Sequence, residues 1–367
     1  MVVKWLLTDP NNSYYLTKNF THVFMWMIAL VFFTKFSYSY FEKWNRIILA
    51  WVLAVMLIVL IIGKEYNGAR WWLDIPGLPS IQPVEFAKVG IILFLASFMK
   101  KKRSLIASLE DGTIPYFLIV GALFMLLALQ PDFGSILILA PVLLALYFVW
   151  WGNMKHIALL FLIGAIGAWS IYGIWKLWDN NSKLSYISSR IDSFFQDNET
   201  LFSKTDTDGK DYQIKQWLIA IGSGGFGWLG FGKSIQKFGY LPEVQWDFIF
   251  SVIVEELWFM GALSLMILFF IITYRGYVIA RSVKDLFGKY VAFWLSTLIL
   301  VQVFVNIGVN LNVVPLTGVT LPFVSYGGSS LIALMISIWI LLNISRHMEY
   351  NIPSSLSQSF HKKRRVY

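Results

Sequence analysis

Three acidic residues crowd one end of a long apolar stretch: Asp247, Glu255 and Glu256 in YLPEVQWDFIFSVIVEELW, residues 240–258. An ionised carboxylate in hydrocarbon costs a few kcal/mol on insertion scales, so acids inside membrane spans usually line a cavity and act there. Asp247 stands where a polar loop ends and the apolar run begins, the accessible carboxylate of the three, which an enzyme, a transporter or a proton relay could each use. Its structural alternative is an N-cap, because the helix dipole favours a carboxylate at a helix start. Glu255 and Glu256 fall about 12–14 Å deeper along a helix rising 1.5 Å per residue. They are read, with Glu243, as supporting residues that stabilise packing or hydrate a groove.

Two further groups of residues suit an anionic substrate. Glu85 and Lys88 in IQPVEFAKVG are three apart and share one face at the start of another apolar run. Pro83 fits the first turn of that helix. The pair is either a structural ion pair or a polar wall that presents Lys88 to an anion. Arg70, followed by Trp71 and Trp72, is equally an interfacial anchor or a fork for a diphosphate. Asn310–Leu331, NLNVVPLTGVTLPFVSYGGSSL, is broken by two prolines and three glycines. Non-helical backbone at membrane depth persists only where protein buries it or water fills a cavity, so this segment suits a substrate cavity or a tight turn. Gly227–Ser234, GWLGFGKS, matches the phosphate-loop pattern by letter, but no βαβ unit surrounds it and nucleotide binding is not expected.

The elements that must hold these residues are membrane helices. The chain has 367 residues, 57% hydrophobic and 14% charged, with mean hydropathy +0.63, values that belong to a polytopic membrane protein. It has no cysteine, which excludes disulfides and thiolate chemistry, and its four histidines are scattered without metal-ligand spacing. The net charge of +9 lies in short segments between apolar runs rather than in a nucleic-acid-binding face.

Apolar runs of about 20 residues, long enough to cross a bilayer, occur at roughly 22–40, 45–63, 83–99, 114–130, 133–151, 156–177, 248–273, 290–310 and 329–345. The expectation is an all-α bundle of about nine transmembrane helices forming one domain over residues 1–367. The basic segments Lys100–Arg103, Lys155, Arg275–Lys289 and the tail 346–367 are assigned to the cytoplasmic side. Lys64–Ser80, Gln130–Gly134, residues 178–245 and Asn310–Ser330 then face outward. The 178–245 loop is read as a loop with short helices lying at the membrane surface and covering a cavity mouth. With nine spans the N-terminus falls outside, and no cleavable signal peptide precedes it.

Read in order, QPVEFAK, QPDFG, YQIKQWLIAIGSGG, KFGYLPEVQWDFIF and LPFVSYGGSSL resemble the SEDS family (shape, elongation, division and sporulation) from about Tyr14 to His347. KFGYLPE and IAIGSGG are more similar to its FtsW and SpoVE branches than to RodA. The resemblance implies a fold of ten transmembrane helices, the first missing here, and a multi-pass protein of the bacterial cytoplasmic membrane. It implies a peptidoglycan glycosyltransferase that polymerises lipid II on the outer face, in cell division or shape maintenance. The family's catalytic aspartate falls on Asp247, its Glu/Lys pair on Glu85 and Lys88, and its loop arginine on Arg190 in RIDSF.

Glu85, Lys88, Arg70, Arg190 and Lys233, with Ser325 and Ser329 of the last motif, are then expected to bind substrate or diphosphate. No cofactor is certain; a divalent cation, Mg or Mn, could share that work near Asp247 or Glu85. The implied partners are lipid II, undecaprenyl-diphosphate-linked glycan, a class B penicillin-binding transpeptidase and other divisome or elongasome proteins, with no nucleic acid and no ATP. Three departures stand out: Gln245-Trp246 before the aspartate in place of His-Thr or Gln-Thr, GARWW for GARRW, and EELW for EELG. A lipid II flippase, or a non-enzymatic scaffold for the transpeptidase, is the alternative. A transporter should carry acids near the midplane of several helices, whereas the key carboxylate here lies at the mouth.

Overall fold

A computed structural model describes residues 24, 36–66, 69–74, 80–105, 108–149, 155, 210–224, 230, 233–236 and 246–348. Its elements follow the apolar runs. A short α1 (Ser39–Lys43) leads into α2 (Asn45–Ile62), then an antiparallel hairpin of β1 (Lys64–Tyr66) and β2 (Ala69–Trp72). Next come α3 (Pro83–Lys101), a π turn (Leu109–Thr113) running into α4 (Ile114–Leu129), and α5 (Phe133–Val149). The remaining described helices are α6 (Lys210–Gly224), α7 (Ile249–Ser282), α8 (Leu286–Asn310) and α9 (Gly328–Ser345).

Seven of the nine expected spans are therefore helices, while runs 22–40 and 156–177 lie mainly outside the described residues. Among the described residues five helices are long and apolar enough to cross a membrane. The hairpin was not anticipated. Its short strands sit inside what reads as a polar loop, and Lys64 bridges to Asp74 at 3.1 Å.

Burial divides the helices into two kinds. α3 and α8 are central: Ile91, Ile92, Leu95 and Ala96 meet a fully buried set from α8 that includes Val291, Trp294, Leu295 and Ile299. α2, α4 and α7 instead turn large apolar side chains outward, among them Trp51, Leu118, Met125, Met266 and Phe270. An apolar outer face over a packed inner one is the pattern that lipid selects, since hydrocarbon replaces water as the neighbour. A helix such as α3, which carries Glu85, Lys88, Lys100 and Lys101, is kept within the bundle.

The two ends of the bundle differ. At one end Lys100 reaches both Glu42 (2.9 Å) and Asp285 (2.8 Å), and Asp285 also caps α8 through the Gly288 N–H at 2.9 Å. Tyr38 donates its hydroxyl to the same carboxylate, and its backbone N–H goes to Asn343 on α9. Burial alone would raise the Asp285 carboxyl, but these donors hold it below the ordinary carboxylate value. The opposite end gathers the starts of α3, α5, α7 and α9 with the irregular segment 311–327 between α8 and α9.

Candidate active site

Asp247 lies two residues before α7 and is half-buried. Its backbone carbonyl accepts from Asn306 Nδ2 at 3.0 Å and from Asn310 Nδ2 at 3.1 Å, both on the last turns of α8. Asn306 Nδ2 also donates to the Val319 carbonyl at 2.7 Å, which ties the irregular segment to the same point. The neighbouring Gly318 has φ +69, and a methyl at its α-carbon would stand 3.6 Å from Asp247 Oδ2. The segment thus forms the wall that faces the carboxylate. The cap of α7 comes from elsewhere: the Ser251 N–H and hydroxyl both go to Asn310 Oδ1, at 3.3 and 2.6 Å. That backbone donor is one a capping carboxylate would otherwise take.

A second polar group lies at the start of α3. Lys88 Nζ meets Glu85 Oε1 at 2.8 Å, with both side chains almost fully buried. Among the described residues the sequence reading missed a third member, Asp132. This acid occupies the turn between α4 and α5, where its Oδ1 accepts from the Ser135 N–H at 3.0 Å. Its Oδ2 is buried with no hydrogen-bond partner among the described residues. Burial pushes the Asp132 carboxyl above the usual range; Ser135 and the Lys88 charge oppose this, while Glu85 adds to it. Asp132 sits in QPDFG, and an acid in a two-residue turn between apolar runs was the available signal.

The glycine of that motif has a steric reason. A Cβ on Gly134 would come within 2.6 Å of the Thr317 carbonyl, so α5 begins flush against the irregular segment. One continuous wall therefore joins Asp132, Thr317, Gly318 and Asp247. The α9 start closes it: Ser329 Oγ accepts from the Gln82 N–H at 2.9 Å, and Ser330 shares a hydrogen bond with Thr320 at 3.0 Å. Ser325 Oγ accepts from the Leu321 N–H at 2.8 Å. The hydroxyls of Ser325 and Ser329, expected to bind substrate, thus accept bonds that hold the wall together.

Glu255 and Glu256, both fully buried, bind a segment of the long loop and not Asp247. Glu255 accepts from the Ser234 hydroxyl and from the N–H groups of Ile235 (2.9 Å) and Gln236 (3.4 Å). Glu256 accepts from the Ser234 N–H at 3.3 Å. In a phosphate loop the Ser234 N–H and hydroxyl would serve phosphate and its cation. Two carboxylates take them here, an environment that repels phosphate. Lys233 next door is exposed. α6, in the second half of the long loop, docks on α7, with Trp217 fully buried and stacked on Phe248 at 4.3 Å between ring centroids.

Arg190, Glu243 and the side chain of Arg70 lie outside the described residues; Arg70 is placed only as part of β2. Among the described residues no three histidine or acidic side chains cluster in a way that could hold a metal ion.

The chain matches the family described as Cell cycle protein (FtsW, RodA and SpoVE) over residues 2–350. It belongs to that family. It is 36% identical to Stage V sporulation protein E of Bacillus subtilis, covering 88% of this chain and 85% of the relative. It is 37% identical to the probable peptidoglycan glycosyltransferase FtsW of the same organism, covering 89% and 78%. Among solved structures it resembles a chain of a peptidoglycan synthase complex whose subject is the coordination of polymerization and crosslinking. That match has TM-score 0.72 and 25% identity over 94% of this chain and 92% of the other. It also resembles the rod shape determining protein RodA of Thermus thermophilus, with TM-score 0.63, 25% identity, and 94% and 90% coverage.

The FtsW/RodA/SpoVE membership gives meaning to the three departures. Trp246 packs edge-on against Tyr326 of the wall, ring centroids 5.0 Å apart. Trp71, in the place of a usual cation, donates its indole N–H to the Gln130 carbonyl at 2.7 Å, beside Asp132. Trp258, in the place of a usual glycine, has φ 57 and ψ −168 and breaks α7 just beyond the two glutamates.

Proposed function

We propose that this chain is a peptidoglycan glycosyltransferase that polymerises lipid II into glycan strands on the outer face of the cytoplasmic membrane, with Asp247 as general base. The observation that carries the base assignment is the seat of Asp247, whose backbone is fixed by two amides and whose carboxylate faces the Gly318 wall. Relatives named as peptidoglycan glycosyltransferases support the reaction class. The basic segments at Lys100–Arg103 and Arg275–Lys289 lie at the other end of the bundle and support an outward-facing site.

In the reaction the 4-hydroxyl of lipid II attacks the anomeric carbon of a glycan carried on undecaprenyl diphosphate. The new C–O bond forms as the C–O bond to the diphosphate breaks, with inversion at carbon. The hydroxyl proton passes to Asp247, within hydrogen-bond reach of the acceptor oxygen. The diphosphate leaves with its bonding electrons, so its growing charge must be met by cations in a water-poor cleft. Lys88 retains donors beyond the one directed at Glu85, and Arg70, Arg190 and Lys233 are the remaining basic candidates. A divalent cation, Mg or Mn, would come with the diphosphate and need one or two carboxylates, for which Asp247 and Glu85 are at hand; it would neutralise leaving-group charge.

A class B penicillin-binding transpeptidase is the proposed partner. The likeness to a chain of a complex that coordinates polymerization and crosslinking supports it. The test is purified protein with lipid II, scored for glycan strands on a gel. Wild type should make strands and Asp247→Asn should make none. Absence of strands with wild type, under conditions where a related polymerase works, would sink the enzyme reading; full activity of Asp247→Asn would sink the base assignment.

A further inference from the structure

We infer that Asn306 and Asn310 are positioning residues for Asp247, a clamp at the end of α8 that sets the base through its backbone; this rests on the reading of Asp247 given above. The two amides are four residues apart on one helix face, and each is essentially fully buried. An apolar helix gains nothing from burying an amide unless each donor and acceptor finds a partner. Here they do. Asn306 Nδ2 divides its two hydrogens between the carbonyls of Asp247 (3.0 Å) and Val319 (2.7 Å). Asn310 Nδ2 donates to Asp247 (3.1 Å) and to the Asn306 carbonyl (2.9 Å). Asn310 Oδ1 takes both donors of Ser251 in the first turn of α7.

Two consequences follow from this pattern. The Asp247 carbonyl accepts twice, which fixes its peptide against α8 and leaves little freedom to the α-carbon that carries the carboxylate. Asn306 grips Asp247 and Val319 with a single nitrogen, so it also fixes the distance between the base and the Gly318 wall. Asn310 meanwhile caps α7 from another helix, so the capping donor of Ser251 makes no demand on the Asp247 carboxylate. The clamp therefore aims the base through its backbone. Neither asparagine touches the reacting atoms; both act through Asp247.

The experiment uses full-length protein in lipid and measures the kcat and KM of lipid II polymerisation, the dependence of kcat on pH, and thermal unfolding. Displacing a catalytic group by about 1 Å can slow a reaction about a hundredfold. Asn306→Ala is expected to lower kcat about ten- to a hundredfold, with KM for lipid II close to wild type. Asn310→Asp keeps the acceptor for Ser251, and so the cap, but replaces the nitrogen that holds Asp247. Its buried carboxylate, set against the carbonyls of Asp247 and Asn306, should lower the unfolding temperature. Its kcat is therefore read on the folded protein well below unfolding, where it should fall to a similar degree. The pH profile is read on Asn306→Ala, which adds no charge, and its acid limb should shift.

A clamp that is only structural would lower unfolding temperature and raise KM together, and would leave the pH profile of the folded fraction in place; that result overturns the inference. Wild-type kcat in Asn310→Asp overturns it as well, even if Asn306→Ala does not fold. Asp247→Asn is run alongside. If it polymerises normally, the base assignment fails and this inference with it. If it is inactive while both asparagine variants keep full kcat, only the clamp fails.

Discussion

Gly318 faces Asp247 across the mouth of the bundle, and a methyl on its α-carbon would lie 3.6 Å from Asp247 Oδ2. That is ordinary contact, not a clash, so an added side chain would fill the space in front of the carboxylate without displacing it. The backbone also resists change, because φ +69 is a left-handed value that costs an L-residue about 1–2 kcal/mol. Gly318→Ala is expected to lose about 1 kcal/mol of stability and to slow polymerisation far more than that loss explains. Thermal unfolding and strand synthesis on one preparation separate the two effects. Normal synthesis by Gly318→Ala would show that no substrate group enters there.

The Glu85–Lys88 pair calls for a different design, because either single removal leaves a buried charge. Breaking such a pair costs about 3–5 kcal/mol, whereas replacing both partners by neutral residues of similar shape is often neutral. Glu85→Gln and Lys88→Met should each lower the unfolding temperature sharply, and the double variant should recover most of it. If Lys88 also serves the leaving diphosphate, the restored double variant will still polymerise about a hundredfold more slowly. A double variant that is both stable and active would reduce the pair to structure.

Asp132 lends itself to a test in which stability and activity move in opposite directions. Its ionised form is disfavoured by burial, and one oxygen has no hydrogen-bond partner among the described residues. A folded-state value raised above the unfolded one means that stability is fullest at low pH and declines as pH rises through the folded value. Asp132→Asn removes that decline, so the variant should be at least as stable as wild type at neutral pH and show a flatter pH profile of unfolding. Polymerisation should nevertheless fall, because the acid sits beside the Glu85–Lys88 pair on the wall that leads to Asp247. Unchanged synthesis would confine Asp132 to folding.

How much of this was legible depends on whether a feature is local. The long apolar runs announce themselves because hydrocarbon thickness fixes their length, and the Glu85–Lys88 contact follows from a spacing of three on one helix. The asparagine clamp joins positions 59 and 63 residues apart, and Ser329 meets Gln82 across 247 residues. A buried amide's partner is chosen by the tertiary fold, so Asn306 and Asn310 read only as two polar residues in an apolar helix. Glu255 and Glu256 were legible as buried acids, but their partners at Ser234–Gln236 were hidden by a coincidental phosphate-loop pattern.

The polar clasp at the far end predicts a stability effect with a defined pH window. Asp285 is held below its ordinary value near 3.8 despite burial, by Lys100, the Gly288 N–H and Tyr38. A depressed folded-state value contributes stability that is present above the unfolded value and is lost as pH falls through the folded one. Asp285→Asn should therefore unfold at lower temperature than wild type at pH 7. The gap should close progressively below about pH 4. A gap that persists unchanged at acid pH would mean the loss comes from the α8 cap alone and not from the charge.

Trp258 offers the sharpest test of the backbone itself. Its φ of 57 and ψ of −168 fall in a region that is essentially glycine-only and costs other residues about 1–3 kcal/mol. The break separates the first turns of α7, which bear the Glu255 and Glu256 anchors, from the apolar run that follows. In an ordinary helix interior alanine is more stable than glycine by about 1 kcal/mol. At this position the order should reverse. Trp258→Gly should unfold at a higher temperature than Trp258→Ala, because both lose the indole and only glycine accepts the conformation without strain. Comparing the two small residues with each other, not with wild type, cancels the packing lost with the ring. If alanine equals or exceeds glycine, α7 runs through position 258 as a regular helix, and the loop segment held by Glu255 and Glu256 is anchored to a continuous span.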